Sequence, residues 1–241
     1  MPNDTPTRDS ASDAATPAAP HRPLWARLFG PPARLLLRAF GWRLEGSLPA
    51  EPKFVLIAAP HTSNWDLVLM LLCGLSFGMW PSWVGKHTLF EGPFGRFFRY
   101  LGGVSVDRRK SLDQVSQIVK LFEERERMVL VIAPEGTRGT TAYWKSGFYH
   151  IARGAKVPLA LAYLDYKKKR GGVGDVFMPG DNLEADVDRI RTFYAGVTAK
   201  HPNRFSNIRL KPEGPPTAPP TSSIPPEADD DAESAEPATA G

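Results

Sequence analysis

The sequence predicts an α/β fold, in which a mixed, largely parallel sheet is flanked by helices and preceded by an amphipathic helical segment. Short apolar runs, typical of buried strands, recur along the middle of the 241-residue chain. Between them lie longer segments with helical periodicity, long enough for the crossover connections that parallel strands require. The N-terminal part of the chain interleaves arginine with large apolar residues, a pattern typical of an amphipathic helix.

The first predicted helical segment covers residues 21–43. Five arginines between Arg22 and Arg43 alternate there with leucine, phenylalanine and tryptophan, which is typical of a membrane-associating helix that lies among lipid headgroups. Packing of this segment against the domain core is the competing interpretation. Pro31 and Pro32 interrupt the pattern, so we expect two short helices rather than one.

Strands and helices then alternate along the chain. The apolar runs predict the strands Phe54–Ala59, Trp83–Gly85, Val104–Val106, Val129–Ala133 and Val157–Tyr163. The periodic segments predict the helices Trp65–Phe77, Phe94–Leu101, Leu112–Arg125, Gly147–Arg153 and Glu184–Lys200. The basic stretch Lys167–Gly172, between Tyr166 and Val173, is interpreted as an exposed turn between two strands.

The uncharged stretch Leu67–Gly85 is, at 19 residues, about as long as a membrane span. Glycine, serine and proline dilute its second half, however. We therefore interpret it as a buried helix ending near Phe77, followed by a turn and a short strand. A membrane span is the alternative.

Composition defines the domain boundaries and the charge of the folded part. Residues 1–20 and 212–241 are poor in large apolar residues and rich in proline, and the second stretch is also acidic, so both are predicted to be disordered tails. Between His21 and Lys211 there are 29 basic and 16 acidic residues, a net charge of +13. A domain this basic is expected to meet an anionic partner: a phospholipid surface, a phosphate-bearing substrate, an acidic carrier protein or nucleic acid. The single cysteine, Cys73, excludes disulfide scaffolds and cysteine-rich metal sites and favours a reducing cytosolic setting.

A histidine and an aspartate follow the first predicted strand of the core. His61 and Asp66 lie five positions apart at the carboxyl end of that strand, where α/β folds expose catalytic groups. A histidine oriented by a carboxylate is a general base. In the competing interpretation, Ser63 and Asp66 form a capping box that starts a helix, and His61 is a polar loop residue.

Cations follow three other predicted strands. Glu135-Gly136-Thr137-Arg138 forms a glycine-bearing turn after one strand, Arg108 follows another, and Lys86 follows a third. Arginine is the natural bidentate ligand of phosphate. The placement of these cations favours a single electropositive crevice, whereas the alternative is a set of separate surface charges.

Several function classes lack their motifs. The chain has no Walker-type loop, no Gly-x-Ser-x-Gly elbow and no recognised nucleic-acid motif. Metal binding by His61 and Asp66 lacks a third ligand at matching local spacing. These absences argue against a nucleotide-dependent enzyme, a serine hydrolase, a nucleic-acid-binding protein and a metal site.

Four segments in order resemble the motifs of the glycerolipid acyltransferases, the PlsC-like 1-acyl-sn-glycerol-3-phosphate and lysophospholipid acyltransferases. The matching segments are His61 to Asp66, Gly103 to Arg108, Glu135 to Arg138 and Val157-Pro158-Leu159. The resemblance covers roughly Leu44 to Tyr166, and it implies that residues 44–211 form an acyltransferase domain.

The resemblance also implies a reaction and its partners. His61, oriented by Asp66, takes the proton from the free hydroxyl of a lysophospholipid, which attacks acyl-CoA or acyl carrier protein directly; no cofactor is needed. Arg138, Arg108 and Lys86 bind the phosphate, while Glu135, Gly136 and Thr137 shape the turn that presents Arg138. The protein is then expected on an anionic membrane surface, peripheral or monotopic, at the cytoplasmic face of the inner or plasma membrane. Another acceptor, such as lyso-ornithine lipid, and a non-catalytic membrane-binding module are the alternatives.

Overall fold

The computed structural model describes residues 24–86, 88–100, 102–106 and 111–210. The chain divides into two units, Met1–Lys211 and Pro212–Gly241, and every described residue belongs to the first. The two predicted tails lie outside the described residues.

The N-terminal segment forms one helix, α1 (Leu24–Ala39), which continues through Pro31 and Pro32. The prediction of two short helices is therefore wrong. Gly30, immediately before the prolines, is buried, and a side-chain Cβ there would come within 3.2 Å of the carbonyl oxygen of Leu75. This close packing, together with buried Ala33 and Leu37, stabilises the helix against the local preference of the prolines.

The main sheet consists of β1 (Arg43–Gly46), β2 (Lys53–Ala58), β5 (Met128–Ile132), β6 (Leu159–Asp165) and β7 (Arg170–Phe177). The strand order is β1-β7-β6-β2-β5. β2 pairs in parallel with β5 and β6, and β1 pairs in parallel with β7, while β6 and β7 form an antiparallel hairpin. The sheet is therefore mixed and largely parallel, as predicted. A basic turn does separate two strands, but it covers only residues 166–169, because β7 already begins at Arg170 and buries Gly171 and Gly172. β1 has no counterpart among the predicted strands because its four residues include only one large apolar side chain.

A smaller parallel sheet of β3 (Trp83–Lys86) and β4 (Gly103–Val106) adjoins β5. Ser82, immediately before β3, pairs in parallel with Leu130 of β5. The backbone N–H of Ser82 donates to the carbonyl oxygen of Val129 over 2.7 Å. The carboxyl ends of β2, β3, β4, β5 and β6 therefore face the same way, toward one edge.

Helices connect and cover these strands. They are α2 (Asn64–Phe77), α3 (Thr88–Glu91), α4 (Gly95–Tyr100), α5 (Ser111–Glu124), α6 (Gly147–Ala155), α7 (Leu183–Tyr194) and a short 3₁₀ turn at Pro202–Arg204. The predicted last helix extends six residues too far, because α7 ends at Tyr194. The predictions include neither α3 nor the 3₁₀ turn.

Side chains of β2 alternate between two apolar layers, as expected for a strand covered on both faces. Val55 and Ile57 pack with residues of α5, α6 and α7, while Phe54 and Leu56 face a second cluster on the opposite side. α1 and α2 cover that opposite side through a third cluster, formed around Leu37, Trp42, Leu69, Cys73 and Leu164.

α2 is only partly the buried helix that the sequence predicts. Leu69, Cys73 and Gly74 are buried, but Trp65, Leu67, Val68 and Leu71 are exposed. Across the described ranges, no helix combines the length and apolar character that a membrane crossing needs.

Candidate active site

The sheet edge brings together a histidine and a carboxylate. His61 lies three residues after β2, and Asp66 lies in the first turn of α2. His61 Nδ1 is 3.4 Å from Asp66 Oδ2. The imidazole is 26% exposed and the carboxylate is fully buried, so a ligand can reach the histidine but not the aspartate.

Four donors hold the Asp66 carboxylate. The backbone N–H groups of Thr62 and Ser63 each donate to Oδ2 over 2.7 Å, and the Tyr166 hydroxyl donates to Oδ1 over 2.6 Å. Burial alone raises the pKa of Asp66, but the hydrogen bonds from His61, Tyr166, Ser63 and Thr62 outweigh burial and lower the pKa below its ordinary value. Asp66 is therefore a fixed anion beside the imidazole.

The capping box is also present. Ser63 is the extended N-cap residue of α2, and its hydroxyl accepts a hydrogen bond from the N–H of Trp65. Asp66 completes the box by accepting from the N–H of Ser63. The two competing interpretations of Asp66 are thus compatible, because the cap fixes the carboxylate that faces His61.

Tyr166, for which the sequence analysis proposes no role, contacts the dyad directly. It follows the last residue of β6, at the same edge as His61. Its ring lies edge-on to Trp42, with the centroids 5.1 Å apart. Burial and the bond to Asp66 raise the pKa of Tyr166, so its hydroxyl stays protonated and can donate. A strand-end position at this edge is the signal that could have identified it.

Glu135 supports the dyad from the neighbouring strand end. Its Oε1 accepts a hydrogen bond from the backbone N–H of His61 over 3.0 Å, and the residue is only 5% exposed. Its Oε2 is buried without a partner among the described residues. Burial raises the pKa of Glu135 above its ordinary value. Glu135 therefore links the turn that carries Arg138 to the backbone of His61.

The rest of that turn faces solvent. Gly136 has a φ of +65°, which favours glycine, and a Cβ there would come 2.9 Å from Lys145 Nζ. The Thr137 hydroxyl accepts from the N–H of Gly139, and the exposed guanidinium of Arg138 donates to Asn64 Oδ1. Asn64 is a neutral partner, and Arg138 makes no ion pair with any described residue. The charge of Arg138 therefore remains available for an anion.

One cavity collects most of these groups. It has a volume of about 620 Å³ and is lined by His61, Ala133, Gly136, Thr137, Arg138, Gly139 and Arg204. The last of these, Arg204, is absent from the sequence-based candidates. Lys86 ends β3, but its side chain and all of Arg108 lie outside the described residues. Of the eight predicted site residues, the structure therefore brings together six.

A second cavity, of about 160 Å³, lies between α2 and the sheet and is almost wholly apolar. Its wall on α2 consists of Leu67, Met70, Leu71, Cys73, Gly74 and Phe77. Leu67 directly follows Asp66, so this wall begins one residue from the dyad. In the part of the chain that the structure describes, no cluster of three or more His, Cys, Asp or Glu side chains could hold a metal ion.

Comparisons with known proteins relate this arrangement to one family. Residues 43–162 match the model of the family described as Acyltransferase. No curated protein sequence matches the chain. The fold is similar to the crystal structure of PlsC, the 1-acyl-sn-glycerophosphate (LPA) acyltransferase from Thermotoga maritima, with a TM-score of 0.50 and 16% sequence identity. The alignment covers 72% of this chain and 81% of that one.

Proposed function

The chain belongs to the acyltransferase family, whose model its residues 43–162 match, and on that premise we propose that it acylates the free hydroxyl of a lysophospholipid. The acceptor that fits best is 1-acyl-sn-glycerol-3-phosphate, which becomes phosphatidic acid. The donor is an acyl thioester, either acyl-CoA or acyl carrier protein. One observation carries the proposal: an imidazole paired with a buried carboxylate lines the same cavity as an arginine without an ion pair among the described residues.

His61 acts as the general base. Its Nδ1–H faces Asp66, so Nε2 is the nitrogen that accepts a proton from the acceptor hydroxyl. The oxygen then attacks the thioester carbonyl, the carbon–sulfur bond breaks, and the imidazolium returns its proton to the leaving thiolate. Asp66 stabilises the imidazolium and holds the ring in one orientation. Neither an acyl-enzyme intermediate nor a cofactor takes part.

Arg138 binds the phosphate of the acceptor. Its guanidinium is exposed and hydrogen-bonded to a neutral amide, so donors remain for a bidentate contact. Gly136 and Thr137 shape the exposed turn, and Glu135 holds it against His61. In this proposal Lys86, the last residue of β3, and Arg108, two positions after β4 in the sequence, bind the same phosphate.

The apolar cavity under α2 accepts the acyl chain. Its wall begins beside Asp66 and contains Gly74, where any larger side chain would narrow it. The acyl carbonyl can then lie near His61 while the chain is removed from water.

The protein works at an anionic membrane surface, to which α1 attaches it. α1 packs on the domain through one face and exposes Leu28, Leu35 and Leu36 on the other, and Phe40, just after the helix, is also exposed. Packing on the domain core describes the buried face, and we propose the membrane contact for the exposed one. Exposed apolar residues flanked by arginine suit the boundary between headgroups and acyl chains.

The test is a panel of lysolipids assayed with both donor types. We expect transfer from acyl-CoA or acyl carrier protein to lysophosphatidate, and loss of that transfer in a folded His61→Ala variant. Full activity of His61→Ala would contradict the mechanism. A preference for lyso-ornithine lipid would be consistent with the same acyl-transfer reaction but would identify a different acceptor. Absence of lysolipid-dependent thioester consumption would favour a membrane-binding module.

A further inference from the structure

The segment His201–Leu210 lies beyond the family match, yet it is attached to both loops of the candidate active site. The N–H of His201 donates to the Thr62 hydroxyl over 3.2 Å, next to His61. On the other side, the N–H of Thr141 donates to the Ser206 hydroxyl over 2.6 Å, three residues after Arg138. The segment therefore bridges the loop after β2 and the loop after β5.

Further contacts fix the course of this segment. The N–H of Trp144, whose side chain is fully buried, donates to the carbonyl oxygen of Arg209 over 2.7 Å. Ser206 and Ile208 are buried. The 3₁₀ turn at Pro202–Arg204 is closed by a hydrogen bond from the N–H of Phe205 to the carbonyl oxygen of Pro202, over 3.1 Å. The backbone that carries Arg204 is thus held at several points before any ligand binds.

Arg204 is a second arginine that lines the cavity of His61 and Arg138. It is exposed, and within the described ranges no carboxylate pairs with it. None of the seven lining residues is acidic. Two arginines at one cavity whose lining residues include no acid attract an anion.

We propose that Arg204 is a phosphate-binding residue and that it forms with Arg138 a pair of guanidiniums around one phosphate group. The proposal rests on the proposed function and extends it to a residue that the family match does not include. A phosphate monoester carries close to two negative charges at neutral pH, which matches two arginines. The same chemistry is available from the acceptor's glycerol phosphate and from the phosphates of the thioester donor, and we favour the acceptor because Arg138 and His61 line the same cavity.

The kinetic test compares Arg204→Ala and Arg204→Lys with Arg209→Ala, an exposed arginine of the same segment that does not line the cavity. For Arg204→Ala we expect the KM for lysophosphatidate to rise about tenfold or more, with kcat nearly unchanged. Arg204→Lys keeps the positive charge but lacks the planar guanidinium that binds phosphate through two hydrogen bonds. Its KM for lysophosphatidate should therefore lie between those of the wild type and Arg204→Ala. Arg209→Ala should behave as the wild type.

The substrates identify the source of the phosphate. Turnover of a neutral acceptor, monoacylglycerol, should respond little to Arg204→Ala. A rise confined to the donor's KM would assign Arg204 to the donor's phosphates and overturn the pairing with Arg138. Unchanged KM values for both substrates would overturn the proposal altogether.

A direct binding measurement separates this proposal from the reaction. Titration calorimetry with sn-glycerol 3-phosphate and with inorganic phosphate needs no turnover. Weaker binding in Arg204→Ala than in Arg209→Ala would support the site even if no lysolipid is acylated. Equal binding in the two folded variants would refute it, whatever the enzyme's activity.

Discussion

Replacing Tyr166 with phenylalanine removes one hydroxyl and leaves the ring, and it should reduce both stability and catalysis. The hydroxyl donates over 2.6 Å to the Oδ1 of Asp66, a fully buried anion. A hydrogen bond to a charged group contributes about 1.5–3 kcal/mol. We expect a value near the lower limit, because Thr62, Ser63 and His61 still hold Oδ2 and because Tyr166 is only half-buried, so water can reach the vacated site.

A loss of about 1.5–2 kcal/mol should lower Tm by about 3–8 °C in a domain of this size. If the same loss reaches the transition state through a less well oriented His61, kcat/KM falls about tenfold to thirtyfold, because each 1.4 kcal/mol is a factor of ten. Asp66 has a lowered pKa, so it contributes stability above about pH 3.8 that is lost as the pH falls through its folded-state pKa. The stability difference between the two proteins should therefore shrink in acid.

The assay is steady-state transfer combined with thermal unfolding across a pH series. Tyr149→Phe is the matched control, because Tyr149 also donates its hydroxyl to a carboxylate, that of Asp186 over 3.0 Å, away from the cavity of His61. This control should lose stability and keep its kcat/KM. Unaltered kcat/KM in Tyr166→Phe, alongside a measured loss of stability, would refute a positioning role for Tyr166.

Three further variants address the carboxyl group behind His61, the apolar cavity and the membrane surface. Burial raises the pKa of Glu135, so the stability that its neutral form contributes is fully present below about pH 4.5 and is lost as the pH rises through its folded-state pKa. Urea unfolding across a pH series should therefore show that the free energy of unfolding falls less with rising pH above about 4.5 in Glu135→Gln than in the wild type, and an equal fall in the two proteins would contradict this. Gly74→Val narrows the apolar cavity toward Met79. Assays with thioester donors of graded acyl-chain length should therefore show a preference for shorter chains than the wild type prefers. An unchanged chain-length preference would exclude this cavity as the acyl-binding site. Leu35→Glu places a charge at a position whose side chain is 70% exposed. Sedimentation with anionic vesicles should show that the variant binds at least about tenfold more weakly than the wild type, while its Tm changes little. Equal binding of the two proteins would show that α1 does not contact the membrane.

The sequence predicts the sheet edge well because the two patterns that identify it, apolar runs and the polar residues directly after them, are local in the chain. Apolar runs mark the strands, and polar residues that directly follow β2 and β5 must lie at the same edge once those strands pair in parallel. The prolines of α1 show the limit of local rules. Their preference is outweighed by the close contact between Gly30 and Leu75, which are distant in sequence.

The two residues that the sequence analysis misses have no motif. Tyr166 lies 100 positions from Asp66, and the predicted strand ends at Tyr163, three residues before it. Arg204 reaches the cavity only because residues around it bind Thr62 and Thr141. Spacing along the chain describes neighbours within one loop, whereas these contacts arise from tertiary packing.

Asp66 combines two roles that many enzymes separate. Catalytic groups commonly weaken the fold that holds them, and removing them then increases stability. Here the carboxylate that faces His61 also accepts hydrogen bonds from the N–H groups of Thr62 and Ser63, the two residues that lead into α2, so the same contacts favour the folded chain and the oriented imidazole. In the proposed mechanism, natural selection acting on the start of this helix therefore acts on the chemistry as well, because loss of this acid would also lower the stability of the fold.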